Sequence, residues 1–169
     1  MLSSKYKILF TLFPCLLLLD QITKSYVTRN MELYYSIPVV KNFFNFTYLR
    51  NKGAAFSIFA QSSFRLPFLI LVSVIAIFAI TVYFRNIRPE EKRMAAGMSF
   101  ILAGAAGNLM DRVRHGEVVD FLDAHWYGHH WPAFNVADSA IFVGVVLIVF
   151  ANFINSKTFV SRDAKSIGL

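Results

Sequence analysis

Apolar and polar stretches alternate along the chain in a pattern that predicts four membrane-spanning helices. A helix crosses a hydrocarbon core of about 30 Å with roughly 20 apolar residues, at about 1.5 Å per residue. Four runs approach this length and contain few charges, although the first has a polar last turn. The predicted spans are 8–27, 67–84, 94–110 and 134–153.

The outer segment between the first two spans, 28–66, is rich in aromatic and β-favouring residues. "NFFNFTYL" begins at Asn42, "AAFSIF" begins at Ala54, and "RNKG" lies between them. Two such stretches around a glycine turn predict two strands. We therefore expect a small extracytoplasmic β-sheet that forms a cradle at the membrane surface. The other outer segment, 111–133, is expected to be a loop between spans three and four.

The composition agrees with a membrane protein that is mainly α-helical. The 169 residues suggest a single domain, 1–169, and 56% of them are hydrophobic against 16% charged. A soluble domain of this length could not bury that much apolar surface. The net charge of +7 does not predict nucleic-acid binding, because the basic residues lie between apolar runs and not along one face. With Cys15 as its one cysteine, the chain cannot form an intrachain disulfide.

The distribution of Lys and Arg predicts the orientation of the spans. Basic residues are denser in the N-terminal segment, in the 85–93 loop and in the C-terminal tail than in the two longer loops. Positive loops stay on the cytoplasmic side, so both termini are expected in the cytoplasm. The first apolar run resembles a signal peptide, but no small-residue cleavage site follows it, so we interpret it as an uncleaved span.

Polar residues near the ends of the spans are expected to converge at one edge of the bundle. Because four helices alternate in direction, the end of span one, the end of span three and the start of span four lie on the same, outer side. The loop between the last two spans belongs to that side too. The residues concerned are Asp20, Lys24, Asn108, Asp111, Arg112, Asp120, Asn135 and Asp138.

Each of these polar groups also has a purely structural interpretation. Asp20 and Lys24 form an i,i+4 pair in the favourable order, worth about 0.3–0.5 kcal/mol. Asn135 would cap the fourth helix, with Asp138 at its third position. Asp120 is harder to explain in this way, because its neighbours are apolar and a carboxylate there requires a partner. A helix-end network is the structural alternative for Asn108, Asp111 and Arg112.

Three histidines in the second outer segment suggest a competing metal site. His125, His129 and His130 lie in "HWYGHH", and an i,i+4 histidine pair can bind zinc on a helix. Trp, Gly and Pro beside them argue against a regular helix, and no Glu lies between them as in the H-E-x-x-H motif. We therefore expect no metal and no cofactor, and we place this loop at the level of the lipid headgroups.

The remaining candidate chemistry is a pair of aspartates, Asp120 and Asp138. Two close carboxylates do not both ionise easily, so they share one proton. The charged group can take a proton from water while the protonated group hydrogen-bonds a scissile carbonyl, which is the chemistry of aspartic proteases. A small transporter and a non-catalytic membrane scaffold are the alternatives. A transporter would hold its acids near the midplane beside broken helices, whereas these cluster at one edge.

Five short motifs follow one another along the chain. They are "DQITK" from Asp20, "RNKGAAF" from Arg50, "GNLMDR" from Gly107, "VVDF" from Val118 and "FNVADSAI" from Phe134. In this order they resemble the motifs of the lipoprotein signal peptidase family, also called signal peptidase II. One such motif would be weak evidence, but five in register are specific, and the length and the span count agree. A small departure is "AGAAGN", where a second glycine is expected near the start; it concerns helix packing.

The resemblance implies an aspartic peptidase of the bacterial inner membrane. Enzymes of this family remove the signal peptide from prolipoproteins, cutting just before the cysteine that already carries diacylglycerol. Cyclic peptide antibiotics of the globomycin type inhibit them. The catalytic dyad of the family corresponds to Asp120 and Asp138. Its supporting and substrate-binding residues correspond to Asp20, Lys24, Asn51, Gly53, Asn108, Asp111, Arg112 and Asn135.

Overall fold

The computed structural model describes residues 2–53 and 64–166, with side chains as far as residue 153. Four long helices and four strands account for most of these residues. Their bounds are α1 Ser4–Asn30, β1 Ser36–Val40, β2 Phe44–Asn51, α2 Arg65–Asn86, α3 Lys92–His115, β3 Val118–Trp126, β4 His129–His130 and α4 Val136–Ser166.

Within the described part of the chain, three helices are long and apolar enough to cross a membrane. They are α1, α2 and the 136–153 part of α4, with mean hydropathies of 1.4, 2.6 and 2.2 over their most apolar windows. The helix α3 has 24 residues, which is sufficient length, but it has basic residues at both ends and several polar residues between them. Its sequence is therefore less apolar than a helix that faces lipid.

The helix α3 lies at the centre of the helical part and packs against α1, α2 and α4. Small residues in α3 permit a close approach to its neighbours. A side-chain carbon at Gly104 would collide with the backbone carbonyl of Ala137 in α4. Gly97 and Gly144 meet in the same way nearer the other end, where a carbon on Gly97 would lie 2.8 Å from the Gly144 carbonyl oxygen.

The four strands form one antiparallel sheet in the order β1-β2-β3-β4. The predicted strand in "NFFNFTYL" is present as β2, and the predicted strand at 54–59 lies outside the described residues. The edge strand β1 was not predicted. It contains Pro38, which lacks a backbone donor and is tolerated at a sheet edge.

The prediction of a loop at 111–133 is wrong for most of this segment. The helix α3 continues through its first residues to His115, and Gly116 ends it in the left-handed conformation with φ of 75°. The strand β3 follows and pairs with β2, so that Leu49 lies opposite Asp120. The run from Val118 to Phe121 is buried without alternation, and such a short apolar run carries no strand periodicity in the sequence.

A buried lysine joins α1 to α2 at the end of the bundle far from the sheet. The Nζ atom of Lys5 donates to the carbonyl oxygens of Phe84, Arg85 and Ile87, at 3.2, 2.8 and 2.8 Å. These carbonyls belong to the last turn of α2 and to its C-cap residue Ile87, where a cation is favourable to the helix dipole. Lys5 of the N-terminal segment thus stabilises the packing of this end of the bundle.

Candidate functional site

The polar residues predicted to converge do lie together, at the end of the helices beside the sheet. They come from the second half of α1, the second half of α3, the strand β3 and the start of α4. Asp138 and Arg112 are half-buried, and the other helical members have almost no exposed surface. The buried members are Asp20, Lys24, Asn108, Asp111, Asp120 and Asn135.

Lys24 is the central cation of this cluster. Its Nζ atom lies 2.9 Å from Asp20 Oδ2 and 2.9 Å from Asp111 Oδ2. It also donates to Asn108 Oδ1 at 3.0 Å. The i,i+4 pair predicted in α1 is therefore part of a buried network that joins α1 to α3. A buried ion pair of this kind depends on each partner, because either charge alone would be strongly unfavourable.

Asp120 lies on β3, where two amide groups orient its carboxylate. Asn51 on β2 donates to Oδ2 at 2.8 Å, and Asn135 donates to Oδ1 at 2.7 Å. The pKa of Asp120 is raised to about 6, because burial and the nearby charge of Asp138 outweigh the hydrogen bonds from the two amides. A carboxyl that titrates close to neutral pH is suited to proton transfer.

Asp138 lies in the first turn of α4 and is oriented by Asn108 and by the backbone of Asn135. Asn108 Nδ2 donates to Asp138 Oδ1 at 2.7 Å. The backbone N–H of Asn135 donates to Asp138 Oδ2 at 3.2 Å, and the N–H of Asp138 returns a bond to Asn135 Oδ1 at 2.9 Å. This reciprocal pair is the cap that the sequence suggested. Asn135 both caps α4 and belongs to the polar cluster, because its Oδ1 atom accepts from the N–H of Asp138 and its Nδ2 atom donates to Asp120.

Asn108 connects the lysine to Asp138. Its Oδ1 atom accepts a hydrogen bond from Lys24, so its Nδ2 atom is the donor that points to Asp138. The orientation of this amide is thus fixed by the ammonium group. Arg112 donates to the backbone carbonyl of Asn108 at 3.4 Å and lies close enough to Asp138 to interact with its charge.

Gly53 orients the Asn51 amide, which reaches Asp120. Its backbone N–H donates to Asn51 Oδ1 at 2.8 Å, which leaves the Nδ2 atom of Asn51 to donate to Asp120. Gly53 has φ of 90°, a conformation that favours glycine, and a side-chain carbon there would lie 2.6 Å from Leu69 Cδ1. Of the two residues of "RNKG" that were expected at the site, Asn51 therefore contacts Asp120 and Gly53 contacts Asn51.

Two residues of this region were missed by the sequence analysis. Gln21 donates to Asp20 Oδ2 at 3.1 Å and to Asp111 Oδ1 at 3.2 Å. The N–H of Ala137 donates to Asp20 Oδ1 at 2.9 Å, so Asp20 binds the start of α4 as well as Lys24. Gln21 lies inside the "DQITK" motif, but nothing in its helical position distinguished it from a residue at a polar helix end.

The three histidines lie at the far end of the sheet. His130 Nδ1 is 2.7 Å from Asp123 Oδ1, and Asn45 donates to Asp123 Oδ2 at 2.8 Å. Burial raises the pKa of Asp123, but its hydrogen bonds to His130 and Asn45 outweigh this, and the pKa is lowered. His125 stacks on His130 with ring centroids 4.7 Å apart. Among the residues that the structure describes, no three His, Cys, Asp or Glu side chains are placed to hold a metal.

Comparison with known proteins identifies the class to which this site and fold belong. The family described as "Signal peptidase (SPase) II" matches residues 12–154. The chain is 59% identical over 132 residues to the lipoprotein signal peptidase of Geobacter sulfurreducens, covering 78% of this chain and 82% of that protein. It is 52% identical over 162 residues to that of Geobacter metallireducens, covering 96% and 99%.

Two solved bacterial membrane enzymes, both determined by the in meso method, share the fold. One has a TM-score of 0.80 at 31% identity, covering 94% of this chain and 96% of that chain. The other has a TM-score of 0.77 at 35% identity, covering 85% and 90%. Together these findings define a bacterial membrane peptidase. The chain belongs to the signal peptidase II family, which confirms the resemblance found in its motifs.

Proposed function

We propose that the chain is an aspartic endopeptidase that removes the signal peptide from diacylglyceryl-modified prolipoproteins. The observation that carries the proposal is the shared orientation of two carboxylates. Asn135 donates through its side chain to Asp120 and through its backbone to Asp138, so one residue fixes both groups. Membership of a peptidase family favours this hypothesis over the transporter and the scaffold.

In the proposed reaction, Asp120 and Asp138 share one proton. The ionised carboxylate takes a proton from water as the water oxygen attacks the scissile carbonyl carbon, and the protonated carboxyl hydrogen-bonds the carbonyl oxygen. When the tetrahedral intermediate collapses, the C–N bond breaks. The carboxyl that took the proton then gives it to the leaving amine of the lipid-modified cysteine. No covalent intermediate and no cofactor enters this scheme.

The proposed topology has four spans, with α3 as the third and both termini in the cytoplasm. The polar side chains of α3 face α1, α4 and the sheet through the contacts of Lys24, Asn108 and Asp111, which compensates its lower hydropathy. Reporter fusions at Ser4 and Asn86 are expected to report a cytoplasmic location, and a fusion at Lys41 an external one. A cytoplasmic signal at Lys41 would disprove the topology.

The lipid on the substrate is expected to determine the rate of cleavage. The bilayer holds the acyl chains in the outer leaflet, so the lipid fixes the scissile bond at the height of Asp120 and Asp138. Burial of acyl chains adds up to about 0.8 kcal/mol per CH₂ group, partly offset because the chains are already in lipid. We therefore expect an unmodified precursor to be cut far more slowly than the diacylglyceryl form in the same proteoliposomes.

The same cleavage assay provides the controls for this prediction. A chelator should leave the rate unchanged, and so should replacement of His125, His129 and His130 by Ala, because no metal enters the proposed scheme. A cyclic peptide of the globomycin type should inhibit the reaction. Equal rates for the two precursors would show that the signal helix alone sets the depth of the bond.

The activity is expected to depend on pH through the shared proton. The pKa of Asp120 is raised from 3.8 to about 6, so the free enzyme keeps this proton up to about pH 6 and loses it above. We expect kcat/KM to fall as the pH rises through this value, with an apparent pKa that belongs to the pair of carboxyls. Thermal unfolding measured over the same pH range separates this effect from loss of the fold. A kcat/KM that stays constant between about pH 5 and 8 would contradict the shared proton.

A further inference from the structure

A groove lies between the C-terminal parts of α1 and α3 beside the polar network, and neither Asp120 nor Asp138 lines it. Its volume is about 790 Å³. Lys24 and Asp111 form part of its floor, and both are buried and paired with each other. The walls are more exposed and come from the C-terminal parts of the two helices. They include Gln21, Tyr26, Arg29, Asn30, Arg114 and His115.

The walls of this groove carry unbalanced positive charge. Arg29 and Arg114 are exposed. Across the described ranges 2–53 and 64–153, no carboxylate lies within ion-pair distance of either guanidinium. Arg114 instead donates to Gln21 Oε1 at 3.3 Å. Lys24 pairs with both Asp20 and Asp111 at 2.9 Å, so this buried group keeps one formal negative charge, and the two exposed arginines exceed it. The groove therefore attracts an anion.

The position of the groove indicates where the anion comes from. Arg29 and Asn30 are in the last turn of α1, which is long and apolar enough to cross a membrane and ends at Asn30. The basic groups consequently lie at the depth of the lipid headgroups. On the same helix, Ile22 and Tyr26 line the groove and are 63% and 67% exposed. Apolar side chains directly below a cationic rim fit an amphiphile better than a small soluble anion.

We propose that this groove binds the phosphate headgroup of an anionic phospholipid. Arg29 and Arg114 hold the phosphate, and guanidinium groups are well suited to its oxygens. Asn30 donates through Nδ2 to the Tyr26 carbonyl at 2.7 Å, so its Oδ1 atom can accept from a glycerol hydroxyl. Ile22 contacts the upper part of an acyl chain. The diacylglyceryl group of the proposed substrate carries no phosphate and belongs at the dyad. The groove is thus a separate lipid site on the enzyme.

The proposal is tested by native mass spectrometry of the full chain, released from micelles that contain phosphatidylglycerol and phosphatidylcholine in equal amounts. We expect the first bound lipid to be phosphatidylglycerol. Each of Arg29→Gln and Arg114→Gln should weaken the binding of that first lipid by about fivefold, as expected for one basic residue at a headgroup. Arg114→Lys, which keeps the charge, should weaken it less.

Lys41→Gln is the matched control, because it removes one exposed positive charge from the β1–β2 turn at the same end of the molecule. It should leave the affinity unchanged. Equal preference for phosphatidylglycerol in all variants would overturn the proposal, and so would equal losses in Lys41→Gln and in the arginine variants. Glycerol phosphate, which lacks acyl chains, should not displace the lipid at millimolar concentration. Displacement would assign the groove to a soluble phosphate and overturn the lipid assignment.

Discussion

Replacement of Asp120 or Asp138 by Asn is expected to lower the rate of cleavage of a lipidated precursor by at least about 10³-fold, within the range that proton transfer contributes to catalysis. Asn keeps nearly the shape of Asp but neither takes a proton nor shares one. Asp120 accepts hydrogen bonds from Asn51 and Asn135. Asp138 accepts hydrogen bonds from Asn108 and Asn135. These hydrogen bonds orient the two carboxylates for proton transfer, which the side-chain amide of a substituted Asn does not perform.

The chain offers a matched control for the dyad on the same strand. Asp123 is also buried on β3 and accepts hydrogen bonds from an amide, but its partners are Asn45 and His130 and not the residues of the cluster. Asp123→Asn should therefore lower the melting temperature but have little effect on kcat. The double variant at Asp120 and Asp138 should be little worse than either single variant, because groups that act as a unit are not additive. Substantial activity in either single variant would falsify the assignment of the dyad.

Replacement of Lys24 by Met is expected to destabilise the protein by about 3–5 kcal/mol, the usual result when one partner of a buried ion pair is removed. The change leaves the carboxylates of Asp20 and Asp111 buried without a cation. It also removes the hydrogen bond that orients Asn108 toward Asp138, so activity should be lost even where the protein still inserts. The measurements are thermal unfolding in detergent and cleavage of the lipidated precursor.

Lys5→Met is the control for this prediction. Lys5 is as buried as Lys24, but its partners are three backbone carbonyls at the other end of the bundle. Its loss should cost stability without affecting turnover at a temperature where the variant is folded. A triple variant, Lys24→Met with Asp20→Asn and Asp111→Asn, should recover stability but not activity, because it removes the stranded charges. A Lys24→Met variant with normal stability and turnover would show that the network has no role.

The sequence alone predicted where the helices lie and at which end of the bundle the polar residues meet. Apolar runs of the length of a bilayer predicted the helices, and alternation in direction then brought Asp20, Lys24 and Asp138 to one end without any knowledge of their contacts. The observed helices extend beyond the predicted spans, since α1 begins at Ser4 and ends at Asn30. Backbone hydrogen bonding continues a helix past the point where hydropathy falls, so hydropathy underestimates its length.

The tertiary structure decided which partner each polar group takes and what the second outer segment becomes. The strand β3 forms because its buried run finds β2 as a neighbour, and a register shift between Phe46 and Leu49 sets Asp120 opposite the end of β2, near Asn51. Lys24 fixes the amide of Asn108, and Asp20 reaches the N–H of Ala137 across two helices. Periodicity and charge report local preference along one element. Contacts between elements depend on packing distances, here set by the close approach of α3 to its neighbours, and a single sequence does not contain those distances in readable form.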